Sequence, residues 1–191
     1  MTNRSLVAVV LLLGLVLAGC RDKDSRAEMA KKLEGIAPGE ERTISPGVTM
    51  KMFRIQATAP IGDGWHLATS TEGGFSVEMP LPFNDFRMRN ETTDKVDLRT
   101  HTVGAKTAGL LAWTATCFAR SDGRLDSDGR KSRPDRSETK GSPLVAALRT
   151  VDLEDRTCVL IVEAQGADPI ASEADRTRFL GSLKRTGKPV W

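Results

Sequence analysis

The chain has 191 residues, 39% hydrophobic and 28% charged, and its mean hydropathy is −0.28. These values exclude a multi-span membrane protein and a strongly disordered chain. The formal charge of +3 falls to +2 without Arg4, which leaves no nucleic-acid footprint, and three cysteines are too few for a disulfide scaffold.

The first elements in chain order are a leader and its cleavage point. Arg4 is the only charge before an apolar run from Leu6 to Ala18, broken only by Gly14. That run is shorter than the ~20 residues a transmembrane helix needs, but it fits the core of a signal peptide. It ends in Leu17-Ala18-Gly19-Cys20, and charged sequence begins at once with Arg21. These four residues resemble the lipobox of bacterial lipoproteins. The resemblance implies that residues 1–19 are removed and that the Cys20 thiol takes a diacylglyceryl group; in that family the new amine is often acylated as well. Two or three acyl chains hold a protein on a membrane stably, since each buried CH₂ contributes ~0.8 kcal/mol. The expected location is the bacterial envelope, lipid-anchored and facing the periplasm. Arg21, where Asp would resemble an inner-membrane retention signal, tilts the reading toward the outer membrane.

Residues 20–47 read as the lipidated cysteine and a flexible tether, with alternating charges and the breakers Pro38-Gly39 and Ser45-Pro46-Gly47. Met29, Leu33 and Ile36 share one helical face within it. From residue 48 to 191 we expect a single α+β domain. Alternation over 48–52 reverses phase at Phe53, which predicts a bulge. Gly62-Asp63-Gly64 predicts a turn, and 65–69 and 75–79 predict a hairpin closed at 71–74 and stopped by Pro80 and Pro82. Strands are expected at 95–103 and 108–119. The charged segment 120–142 holds seven cations and five anions with Leu125 as its one apolar residue, and reads as a mobile loop. A hairpin is expected over 144–151 and 157–164, its second strand central because it is apolar on both faces. Asp168-Pro169 predicts the start of a helix closed by Gly187 and Pro189, with Ala171, Ala174, Phe179, Leu180 and Leu183 along its apolar side.

Three stretches carry a second resemblance: Trp65 with Gly74-Phe75-Ser76-Val77-Glu78-Met79-Pro80, the apolar strand 156–162, and Arg178-Phe179-Leu180-Gly181-Ser182-Leu183-Lys184. Together they resemble bacterial envelope proteins related in pattern to the PsbP proteins of photosystem II. That likeness implies an α/β sandwich with an antiparallel sheet and no assigned activity, and the elements read above sum to an α+β fold, a sheet of six or seven strands packed with a C-terminal helix. The chain departs from the pattern in lacking any Tyr.

Chemistry-bearing motifs are sparse. His66 and His101 lie on separate predicted strands, and a metal site needs three or four convergent ligands. The stretch 124–135 mimics a calcium loop, but Arg124 occupies the first ligand position. We therefore expect no metal, no cofactor and no enzyme. With Cys20 lipidated, Cys117 and Cys158 remain in an oxidising compartment, where a disulfide is favoured over buried free thiols. Two readings stand for function: an interaction module that docks an envelope protein, or a small-ligand or cargo binder. A cavity lined by Trp65, Trp113 and Phe118 would favour the second, and a filled core would favour the first.

Overall fold

The computed structural model describes residues 32, 35–54, 60–91, 97–106, 111–120, 144–164 and 171–191. Eleven strands and one helix are found among them: β1 Glu41–Ser45, β2 Val48–Arg54, β3 Pro60–Gly62, β4 Trp65–Thr69, β5 Phe75–Met79, β6 Asn84–Glu91, β7 Asp97–Lys106, β8 Leu111–Arg120, β9 Leu144–Leu153, β10 Arg156–Ala164, α1 Glu173–Gly181 and β11 Lys184–Arg185. They form a seven-stranded sheet in the order β1-β2-β6-β7-β8-β10-β9 and a four-stranded sheet in the order β11-β5-β4-β3. Every strand pair is antiparallel. The fold is mostly β, with one short C-terminal helix.

One face of the large sheet packs against the small sheet and the helix. Val103 and Ala105 of β7, Trp113, Ala115 and Cys117 of β8, and Cys158, Leu160 and Val162 of β10 share a core with Phe75, Val77 and Met79 of β5 and Phe179 of α1. The two-residue spacing of these positions is the strand period, which places alternate side chains on one face. On the other face Met50, Met52, Phe86, Met88, Thr100 and Thr102 are buried too. There the Thr102 and Thr116 hydroxyls stand 3.0 Å apart and satisfy each other across the strands.

Turn chemistry accounts for the hairpins. Asp63 and Gly64 both have positive φ, 51° and 76°, as a two-residue hairpin loop between β3 and β4 requires. The break in register between Met52 and Arg54 against β6 is the bulge that the phase reversal at Phe53 implies. Pro80 ends β5 at Met79, because it has no N–H for the ladder.

Several elements differ from expectation. β1 lies inside the segment read as tether, and Ile36 and Ile44 there are 1% and 2% exposed. Ser45-Pro46-Gly47 is thus a hairpin turn between β1 and β2, with Gly47 at φ +72°. β6 was not expected, because Phe86 and Met88 are its only large apolar residues; nevertheless it pairs on both sides, with β2 and β7. β10 is flanked on both sides, yet it stands one strand from the edge instead of at the centre. The helix starts later than Asp168-Pro169: its cap is Ser172, whose Oγ accepts from the Asp175 amide at 3.0 Å. It stops at Gly181, where Ser182 bonds back to the Phe179 carbonyl, so Gly187 and Pro189 lie beyond β11. Ala174 is exposed, and Phe179 alone among helical residues is buried. The leader, Cys20, Asp168-Pro169 and the charged segment from 121 onward lie outside the described residues.

Candidate functional site

A single rung crosses all seven strands of the large sheet. In strand order its members are Glu41, Lys51, Arg87, His101, Cys117, Cys158 and Val151. Because directly paired residues point to the same side, this row runs from a charged margin to a sulfur-filled core. At the margin Glu72, from the β4–β5 turn, receives Arg87 at 2.6 Å and Lys51 at 3.5 Å, and Arg87 also reaches Glu41 at 3.4 Å. In the core the Cys117 and Cys158 sulfurs are bonded, with their Cα atoms 4.0 Å apart. His101 sits between the two and is fully buried.

The turn 70–74 and residues 186–191 close over that histidine. The Thr186 and Gly187 amides donate to the Gly74 carbonyl at 2.9 and 3.2 Å, and the Val190 amide donates to the Glu72 carbonyl at 2.7 Å. His101 Nε2 donates to the Val190 carbonyl at 2.8 Å, and the Trp191 ring lies on the imidazole at 4.7 Å between centroids. Arg156, its side chain fully buried, donates to the carbonyls of Gly73 and Gly187 and to Asp155. A buried guanidinium survives there because its donors are satisfied in several directions at once. Gly73 is required by space: an added Cβ would stand 2.4 Å from Ser70 Oγ and 2.7 Å from His101 Cβ.

Burial shifts His101 and Asp85 in opposite senses. Burial drives the His101 pKa down to about 4; the Val190 carbonyl opposes this, and Arg87 and Arg156 reinforce it. Burial pushes the Asp85 carboxyl up, against the Thr71 amide and hydroxyl that bond it at 2.7 and 2.5 Å. A histidine held neutral in the fold and freed to its ordinary 6.5 on unfolding stabilises the native state above 6.5, and that contribution is lost as pH falls toward 4. The part lost between pH 7 and 4.5 is about 2 kcal/mol. Asp85 works the other way, since protonation relieves its buried charge. The urea midpoint of His101→Gln should therefore fall less between pH 7 and 4.5 than that of the wild type. Equal falls would assign the acid sensitivity to other groups.

The aromatic residues singled out in the sequence are not grouped around a cavity. Trp113 meets Trp65 edge-on at 6.2 Å and Phe179 edge-on at 5.3 Å, and all three are buried. Phe118 pairs with Thr100 and so lies on the opposite face of the sheet from Trp113. Arg178 covers the outer side of Trp65 at 4.4 Å and is held by Glu78 at 2.7 Å. Ile61 and Leu67, 43% and 44% exposed, stand on the neighbouring strands β3 and β4.

His66 and His101 fall on different sheets, and the described residues contain no group of three or more His, Cys, Asp or Glu placed to hold a metal. Arg156, Gly73, Val190 and Trp191 carry no sequence motif; their only signal is a lone arginine opening an apolar strand and a tryptophan after a Gly-Lys-Pro stretch. Comparison with family models, with curated proteins and with solved structures finds no match.

Proposed function

We propose that this protein is a lipid-anchored lipoprotein of the bacterial envelope that binds another protein and does not act on a substrate. The observation that carries this reading is the packing of Trp65, Trp113 and Phe179 on one another between large sheet and helix. A ligand binder needs a preformed concave site there, and the aromatic side chains take up that space. Exposed Ile61 and Leu67 agree with a surface that meets a partner. The anchor rests on Leu17-Ala18-Gly19-Cys20, and the kinship with PsbP-like sandwiches is supported by Phe75, Val77 and Phe179 in the core and Leu183 packed against it.

Native mass spectrometry of protein extracted from its own membranes tests both halves. The mature chain should begin at Cys20 and carry the mass of its acyl groups, whereas Cys20→Ala should accumulate as a longer, unlipidated precursor. An unmodified cysteine at the N-terminus would remove the anchor. Chemical crosslinking before extraction should join the protein to an envelope protein; a small molecule co-purifying in equal amount would overturn the protein-binding reading.

A further inference from the structure

Residues 186–191 sit on the domain as a bound peptide would. They have no helical or strand pairing beyond β11, yet their backbone is gripped at both ends by amide bonds to the turn 70–74. Their Gly187 and Val190 carbonyls are caught by Arg156 Nη2 at 2.6 Å and His101 Nε2 at 2.8 Å. Both receptor side chains belong to the large sheet and are buried. Sequence selectivity comes from a single place, the Trp191 ring against His101. Val190, by contrast, is 57% exposed, the most exposed of the large hydrophobics among the described residues. Main-chain capture plus one side-chain seat is how extended peptides are recognised in general. The floor is shaped for a backbone: a Cβ on Gly74 would come within 2.6 Å of the Gly187 carbonyl oxygen.

We propose that the turn 70–74, Arg156 and His101 form a peptide-binding groove whose resident occupant is residues 186–191. In exchange it takes an extended segment of a protein partner bearing an aromatic residue at the Trp191 position. The inference rests on the protein-binding reading only in taking the competitor to be a protein. Withdrawing residues 186–191 takes the Val190 carbonyl from His101 and the Gly187 carbonyl from Arg156, which keeps Gly73 and Asp155, and a second peptide backbone restores both bonds. A tethered occupant acts at an effective concentration of order millimolar, so the groove is closed to weak competitors and open to good ones.

The test uses the full-length chain and a labelled, acetylated and amidated hexapeptide, Thr-Gly-Lys-Pro-Val-Trp, read by fluorescence polarisation. Trp191→Ala withdraws the resident ring, and Val190→Pro independently removes the amide that bonds the Glu72 carbonyl. Both variants should bind the peptide at least tenfold tighter than the wild type, and the same peptide with Ala for Trp should bind at least tenfold weaker. Adding His101→Gln to Trp191→Ala should weaken binding again. Equal affinities for wild type and the two variants at 190 and 191, or no loss on removing the peptide's Trp, would overturn the groove. A wild-type dimer that grows with concentration and is dissolved by Trp191→Ala would show that residues 186–191 of a second copy are the occupant, and would overturn the partner assignment. Peptide failure alongside positive envelope crosslinks would sink the groove alone.

Discussion

Trp113→Ala is expected to cost about 3–5 kcal/mol of folding stability, the range for removing a large buried aromatic. Its indole is 2% exposed and is enclosed edge-on by Trp65 and Phe179. It therefore couples the large sheet, the small sheet and the helix, and the void left by its removal borders all three. The indole also has a weakness: Nε1 is buried and has no hydrogen-bond partner among the described residues. Trp113→Phe retains much of the edge-to-face contact and deletes that unsatisfied donor, so it should cost about 1–2 kcal/mol, well below the alanine change. Urea unfolding of the two variants side by side measures the difference. Equal costs would mean that ring volume alone decides the site, and an alanine cost below about 1 kcal/mol would mean that the interior is not packed as a single unit.

The parts of this fold that could be read from the chain are those where local chemistry decides. Asp63-Gly64, Pro80 and the alternation over 48–52 each act within a few residues, and each produces the element that it signals. β6 escaped because its burial comes from its neighbours. Asn84 and Asp85 are polar, but both pair with β7, Asp85 pairs with β2 as well, and it finds its partner in Thr71, fourteen residues back. The start of the helix differs from expectation for another reason. Asp168-Pro169 and Ser172 are both good cap signals; the structure uses Ser172, close to where Phe179 can reach the core. The candidate groove is the least legible part. Glu72, His101, Arg156 and Val190 are far apart in sequence and meet only through sheet register and the return of the chain across the turn 70–74. Nothing in residue type or spacing announces that meeting.

Cys117→Ala/Cys158→Ala should lower stability by about 4 kcal/mol, the chain-entropy value for a cross-link at this separation of 41 residues. For a domain of this size that corresponds to a fall in melting temperature of roughly 8–16 °C. The effect should come through the unfolded chain, because the native pairing of β8 and β10 already extends from Leu111 to Phe118 without any need of sulfur. The cross-link also closes the chain that contains the charged segment 120–142, which brings little apolar surface with which to offset its own entropy. Alanine is the right replacement, since two serines would bury hydroxyls in a cluster of Val103, Leu160 and Phe75. Kinetics give a second reading. Both cysteines are completely buried, so a thiol reductant has no path to them while the domain is folded. Reduction should therefore be slow in buffer and become fast only as urea approaches the unfolding midpoint. Labelling of both cysteines by an alkylating agent without reductant would refute the bond. Fast reduction of the folded protein would show instead that residues 186–191 and the turn 70–74 open to the disulfide far more often than global unfolding allows.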